Sequence, residues 1–204
     1  MKILEVTPLA IPDVKVIKCA RFGDNRGYFT EPFRNSDFQK IIPDFSILQV
    51  NESYSNRGVV RGLHIQWNPY MGKLVRSVKG HMVDLFLDIR KGSPTYGKIA
   101  AYDMPVSPKN DYFEWIWIPV GFAHGNYYLE ETIIEYFCTS EYSPGCETGI
   151  SPLSKDLDWS LCDKNIKSQF DQLIQEGLTI SEKDQKGFAL KEWEKNENAK
   201  RFVI

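Results

Sequence analysis

Only three histidines and four cysteines occur among the 204 residues of this chain. Cys19, Cys138, Cys146 and Cys162 are far apart and form no CxxC pair. That spacing argues against a zinc site built on paired cysteines. It fits a reducing cytoplasm and leaves a single disulfide open. No apolar run approaches the roughly 18–20 residues that span a bilayer. The segment Met1–Val6 lacks the long apolar stretch of a secretory signal. Positive charge is not in excess either, since the formal net charge is −2. A general nucleic-acid binder needs a basic surface to neutralise phosphates, so that class is disfavoured, while a local basic pocket is not. Internal repeats, low-complexity tracts and a clear linker are missing as well. One domain is expected over residues 1–204, with a β core at about 11–150 and a helical and loop segment at about 151–204.

What is present is a high aromatic share, 13%, in a chain that is 42% hydrophobic and 25% charged. Aromatics favour sheets and stack on flat ligands. The middle of the chain reads as successive strands: 47–53, 59–66, 73–78, 81–89, 98–104, 113–118 and 131–142. Turn signals separate them, including Asn56-Arg57-Gly58, Lys79-Gly80, Lys91-Gly92-Ser93-Pro94 and Pro119-Val120-Gly121. Short strands with such punctuation predict an antiparallel sandwich or barrel. Beyond them, Ile166, Phe170, Leu173 and Ile174 fall at helical spacing before Gly177, which predicts a helix over 165–176. Residues 189–198 are polar and predict a short surface helix, with the whole tail packed on the β body.

Four segments could carry chemistry. In Val59–Gln66, alternation puts Gly62, His64 and Gln66 on one face and Leu63 and Ile65 on the other. Imidazole titrates near neutrality, so His64 beside Arg61 and the run Gly72–Arg76 is a candidate base. A hydrogen-bonded strand histidine would look the same. In Ile133–Tyr142, Tyr136 and Tyr142 would share a strand face as a proton donor and a stacking surface, or as two amphipathic edge tyrosines. His124 lies in a glycine-bounded stretch after a strand. Asp24–Phe33 combines Arg26, Phe29 and Glu31, a set suited to a phosphate and a flat base. His64, His81 and His124 are the only imidazoles that could converge on a divalent ion. Position 66 is glutamine, so the HxH pair of a metal-binding β-barrel is incomplete and no metal is expected.

Taken together and in order, these segments resemble the nucleotide-sugar 3,5-epimerases, typified by dTDP-4-dehydrorhamnose 3,5-epimerase. The resemblance runs from about Pro12 to Asp184. It is carried by Asp24–Phe33, Gln49-Val50-Asn51, Arg61–His64, Gly72–Arg76, Gly92–Gly97, Pro119–Gly125 and Tyr136–Tyr142 with Pro144. It implies a mostly β, cupin-type jelly-roll core with short C-terminal helices, a homodimer, and no metal or organic cofactor. The implied substrate is a nucleotide-diphosphate-linked 4-keto sugar. By motif position His64 resembles the general base, Tyr136 the general acid, and Lys73 the residue near the sugar carbonyl. Asp184 resembles the carboxylate that pairs with the base. Arg26, Phe29, Glu31, Gln49, Asn51, Arg61, His124, Tyr142 and Glu147 resemble nucleotide-sugar-binding positions. Departures occur around the site: Ile65 follows His64 where an aromatic is usual, and Asn126 follows His124-Gly125 in place of phenylalanine.

Two rivals follow from the same residues. A cupin-type 3,4-ketoisomerase would use a histidine base but move the carbonyl. A non-catalytic carbohydrate-binding β-sandwich would exchange no substrate protons with solvent.

Overall fold

A computed structural model describes residues 1–203. Its strands are β1 (Ile3–Pro8), β2 (Lys15–Ala20), β3 (Phe22–Asp24), β4 (Gly27–Phe29), β5 (Gln49–Ser55), β6 (Val59–Gln66), β7 (Lys73–Lys79) and β8 (His81–Asp88). They continue with β9 (Ile99–Pro105), β10 (Tyr112–Ile118), β11 (Phe122–Tyr128), β12 (Thr132–Cys138), β13 (Glu147–Gly149) and β14 (Thr179–Ile180). The helices are α1 (Asn35–Phe38), α2 (Lys164–Glu176), α3 (Glu182–Gln185) and α4 (Leu190–Trp193). Two sheets stack face to face. The first has the order β1-β2-β10-β7-β12-β5, and the second β13-β6-β11-β8-β9. Their ladders are antiparallel; β14 alone adds in parallel, to β6. This is a cupin-like jelly-roll sandwich, as expected.

Three apolar layers hold it together. Between the sheets, Val16, Val75 and Ile116 of the first meet Met82, Phe86 and Tyr128 of the second. The outer face of the first sheet, Ile17, Leu74 and Trp115, is covered by Phe38 and Phe45. The outer face of the second, with Leu63, Leu85 and Leu87, is covered by the tail residues Phe170, Leu173, Trp193 and Phe202. Central strands are therefore buried on both faces: every residue of β11 is buried. An edge strand shows the alternation instead, as Gln49, Asn51 and Ser53 of β5 point inward while Val50 and Tyr54 are exposed.

Several expectations need correction. β11 gives little strand signal in the sequence, because Ala123 and Gly125 lower its propensity. β1 and β2 precede the first strand expected, at 47–53. The strand expected over 131–142 stops at Cys138, so Tyr142 lies in the following loop. The polar segment 189–198 is not a surface helix. It is α4 followed by a 3-10 turn, and Trp193 is fully buried against Trp67 and Phe202. One anchor in a polar sequence outweighs its surroundings, because an indole buries far more apolar area than a charged stem. The cysteines are free thiols. Among the described residues no helix is long and apolar enough to cross a membrane.

Trp193→Ala is expected to destabilise the protein by about 3–5 kcal/mol, the usual cost of emptying a buried indole site. Urea unfolding measures it, and a loss under about 1 kcal/mol would show that the tail is not part of the core.

Candidate active site

A cleft opens between the sheets, and its inner part holds about 500 Å³. From the second sheet come His64 and Arg61 of β6 and His124 and Asn126 of β11. From the first come Lys73 of β7, Tyr136 of β12 and Ser53 of β5. The outer part, about 970 Å³ including its mouth, adds Gln49, Asn51, Tyr142, Glu147 and Lys183.

Arg61 and His64 are three residues apart, so strict alternation would put them on opposite faces. A bulge brings them together. His64 pairs with His124 and Arg61 with Asn126, so three steps along β6 match two along β11. The bulge needs glycine on both strands. Gly62 has φ +106°, and a Cβ there would stand 2.5 Å from the Gly125 Cα. A Cβ on Gly125 would stand 2.3 Å from the Arg61 carbonyl oxygen. The re-aimed Arg61 is braced by its Nε donating to Ser55 Oγ at 2.9 Å and its second guanidinium nitrogen to the Tyr54 carbonyl at 3.2 Å.

Each cleft histidine has its own carboxylate. His64 Nε2 is 2.7 Å from Asp184 Oδ1, and Asp184 Oδ2 accepts the Gly62 N–H at 3.2 Å. Asp184 is delivered by α3, whose first turn is capped by Ser181 Oγ accepting the Asp184 N–H at 3.1 Å. Burial opposes ionisation of Asp184, but the bonds from His64, Gly62 and Ser181 outweigh it and hold the carboxyl below its ordinary value. An ionised Asp184 accepts the Nε2 proton, which leaves the Nδ1 lone pair free. His124 Nε2 is 2.8 Å from Asp84 Oδ2, and Asp84 is fully buried. Burial, opposed by Asp84, pushes the His124 pKa down and keeps that ring neutral.

On the opposite wall, burial raises the Tyr136 pKa, with Cys138 adding to the effect and Arg61 and Asn51 countering it. The phenol therefore stays protonated at neutral pH. Burial lowers the Lys73 pKa, while Cys138, Asp84 and Glu147 oppose the change. At the mouth, Glu147 Oε1 accepts from Lys183 Nζ at 2.5 Å and from the Tyr142 hydroxyl at 3.3 Å. Gln49 Oε1 accepts the Tyr142 N–H at 2.8 Å, and Gln49 Nε2 donates to Asn51 at 2.9 Å.

Most expected site residues thus share one cleft, although Tyr142 reaches it from a loop rather than a strand face. Arg26, Phe29 and Glu31 do not reach it. They belong to or follow the separate β3–β4 ribbon. Arg26 pairs with Asp24 at 2.6 Å, Glu31 with the Met1 amino group at 2.6 Å, and Phe29 is 71% exposed. His81 bonds Asp103 at the far end of β8, about 17 Å along the strand from the position opposite His124 at ~3.3 Å per residue. The three histidines do not converge. The polar lining residues that sequence reasoning does not assign include Ser53, Asn126 and Lys183. Ser53 continues the alternation of Gln49 and Asn51, Asn126 follows His124 by two, and Lys183 adjoins Asp184. The first was legible in the pattern, the second needed β11 to be read as a strand, and the third had no signal.

A histidine on one sheet, backed by an aspartate from the tail, and a protonated phenol on the other sheet, with a lysine in the same cleft, can take a proton from one face of a ligand and return one to the other. Fold and cleft together define a cupin-like sugar isomerase. A family model described as dTDP-4-dehydrorhamnose 3,5-epimerase matches residues 8–192. The chain is 44% identical over 145 residues to the dTDP-4-dehydrorhamnose 3,5-epimerase of Sinorhizobium fredii, covering 70% of this chain and 72% of that one. It is 39% identical over 176 residues to the enzyme of the same name from Shigella flexneri, covering 81% and 95%. Among solved structures, the dTDP-6-deoxy-D-glucose-3,5-epimerase of Legionella pneumophila, in complex with dTDP-4-keto-L-rhamnose, superposes with a TM-score of 0.77 at 34% identity, covering 92% and 93%. A 3′-monoepimerase of Streptomyces bikiniensis bound to dTDP-quinovose superposes with a TM-score of 0.75 at 25% identity, covering 97% and 92%. The chain belongs to the dTDP-4-dehydrorhamnose 3,5-epimerase family and is an epimerase, an isomerase of deoxysugar biosynthesis.

Asp184→Asn keeps the shape of the pair and removes its charge. Because the folded-state pKa of Asp184 is depressed, its contribution to stability is complete above the unfolded value of about 3.9. It is lost as pH falls through the folded value. The variant should be less stable than wild type near neutrality, and the gap should close below about pH 4. Urea unfolding across that range checks both parts.

Proposed function

We propose that the protein inverts C3 and/or C5 of a nucleotide-diphosphate-linked 4-keto-6-deoxy sugar through an enolate. One observation carries the reading: His64–Asp184 and Tyr136 face each other across a single cleft from opposite sheets. A carbon beside a ketone is acidic because its anion delocalises onto oxygen. His64 Nδ1 takes that proton, and Asp184 stabilises the imidazolium so formed. Lys73, with neutral His124, stabilises the oxygen of the enolate. The Tyr136 hydroxyl then donates to the opposite face of the carbon and inverts it. Arg61 offers a fork of donors to the diphosphate, and Gln49, Asn51, Tyr142 and Glu147 bind the nucleotide end at the mouth. No step calls on a metal or organic cofactor, so the rate should withstand chelators. The free thiols support a cytoplasmic setting.

The same reading gives Arg26, Phe29 and Glu31 a place in a homodimer. A two-fold pair exchanges identical segments reciprocally, so the β3–β4 ribbon of one protomer would complete its partner's cleft. The exposed ring of Phe29 and the 84% exposed Arg26 side chain support this.

Incubation of nucleotide 4-keto sugars in D2O tests the chemistry, because the number and position of deuterium atoms report the centres inverted. A ketoisomerase would move the carbonyl instead. His64→Asn should lose at least about 10²-fold in exchange at both centres while nucleotide-sugar binding survives. Near-normal turnover by that variant would remove His64 as the base. Tyr136→Phe should give a split: epimerisation falls strongly, yet wash-in with retained configuration persists, since His64 returns an exchanged proton to its own face. Normal inversion by Tyr136→Phe would place the acid elsewhere.

The shared cleft has its own test. Arg26→Ala and His64→Asn proteins, each impaired alone, should on mixing and exchange recover about a quarter of wild-type activity, because each mixed dimer holds one complete cleft. No recovery after demonstrated exchange would assign the ribbon to its own protomer.

A further inference from the structure

The amides at the cleft mouth form a chain whose polarity is set at one end. The Tyr142 backbone N–H donates to Gln49 Oε1 at 2.8 Å. A backbone N–H can only donate, so that bond settles which end of the Gln49 amide is oxygen. Gln49 Nε2 is left facing Asn51 and donates to its Oδ1 at 2.9 Å. With Oδ1 taken, the Asn51 amide turns its Nδ2 the other way, where it lies 3.8 Å from Cys138 Sγ. A thiol sulfur is a weak acceptor and engages one of the two amide hydrogens. The second is free for a better partner.

Strand register places that partner. Asn51 of β5 stands directly opposite Tyr136 of β12, and both side chains line the cleft. Residues opposed in this way have Cβ atoms about 5 Å apart, near enough for their side chains to interact. The phenol registers the contact. Burial and the Cys138 thiol hold its pKa up, whereas Arg61 and the Asn51 side chain draw it down. A neutral amide lowers a phenol's pKa by donating to its oxygen, because the bond favours the phenolate. The Tyr136 oxygen thus accepts from Asn51, and its own hydrogen is left to point into the cleft.

In the reaction proposed above, the Tyr136 O–H bond breaks as the new C–H bond forms. The negative charge of the enolate passes to the phenolate oxygen. A phenolate held away from bulk water is costly unless a donor meets it. We infer that Asn51 is a positioning residue for Tyr136: its Nδ2 holds the phenol with its hydrogen turned to the sugar and stabilises the phenolate that the transfer leaves. Gln49 and the Tyr142 backbone keep the Asn51 amide in the orientation this needs. Solvent returns a proton to the phenolate and takes one from the His64 imidazolium, which restores both groups. Asn51 serves the acid in addition to its place at the mouth. The inference rests on the epimerase reading and on Tyr136 as its acid.

The test follows dTDP-4-keto-6-deoxyglucose in D2O. It reads, within each protein, the ratio of inversion to deuterium wash-in with retained configuration. Wild type and Tyr136→Phe set the two limits of that ratio. Asn51→Leu removes the amide. Asn51→Asp keeps its shape and its bond from Gln49 but presents oxygen to the phenol, and it serves where Asn51→Leu fails to fold. Each variant should lower the ratio by about 10–100-fold, the worth of a hydrogen bond to a charged oxygen, with kcat falling by more than KM rises. The ratio is internal to each sample, so partial unfolding does not mimic the effect. A wild-type ratio in the folded variants, with only KM raised, makes Asn51 a nucleotide contact alone and overturns the inference. A wild-type ratio in Tyr136→Phe places the acid elsewhere and takes the inference with it. Exchange in none of the proteins, wild type included, removes the epimerase reading itself.

Discussion

The close approach of β6 and β11 is the constraint on which the site depends. Two strands this near at Gly62 and Gly125 leave no room for a Cβ on either. The extra residue of β6 is accommodated there, and the rotation it imposes brings Arg61 round to the side of His64. Without it, the Arg61 guanidinium and the His64 ring would face opposite ways. The same crossing holds the Gly62 N–H against Asp184, so the backbone that makes the bulge also orients the carboxylate behind the base. Geometry of this kind is rigid because β11 is packed on both faces and cannot shift alone.

Charge is managed by pairing within layers. Removing an ion from water is costly unless a partner and hydrogen bonds replace the solvent. Asp84 is fully buried yet lies against His124 and within the field of Lys73. Asp184 is 7% exposed; its carboxylate pairs with His64 and accepts the Gly62 N–H, while its own N–H donates to Ser181. The second sheet therefore carries Asp84 and the two cleft histidines, and the tail packed against it carries Asp184. The first sheet contributes the phenol and the lysine. A sandwich separates these sets by its inter-sheet gap, which is the separation that proton transfer to opposite faces of one carbon demands.

Much of this was legible in the sequence, and the reasons for the rest are physical. Strands are expected where β5 and β12 lie, although the second stops at Cys138; Gln49 and Asn51 enter by family resemblance, and their alternation agrees with it because β5 is an edge strand. β11 escaped because the small residues that permit its close approach are those that weaken a strand signal. Arg61 was tied to the site by family resemblance, while alternation alone pointed it away; the bulge that reconciles the two leaves no mark on residue periodicity. Trp193 was hidden in a polar stretch because one large ring suffices to anchor a short segment. Arg26, Phe29 and Glu31 read as one binding set in the sequence, whereas in the chain Arg26 pairs with Asp24, Glu31 pairs with the Met1 amino group and Phe29 is exposed, away from the cleft.

The division of labour between sheet and tail follows from these packing facts. Strands supply His64, Lys73, His124 and Tyr136, whose mutual positions are fixed by ladders of hydrogen bonds and tolerate little change. The tail supplies Lys183 and Asp184 from one short helix. Tail positions are held mainly by side-chain packing and caps, with β14 on β6 and single bridges at Phe188 and Val203 as ladder contacts, so those away from buried anchors such as Trp193 accept substitution at lower cost. A chemistry of proton transfer can then stay constant in the sheets while the tail reshapes the walls. Asp184 shows the limit of that freedom: it sits in the tail, yet bonds to Ser181, Gly62 and His64 hold it in place, and the proton on His64 Nε2 is set by it.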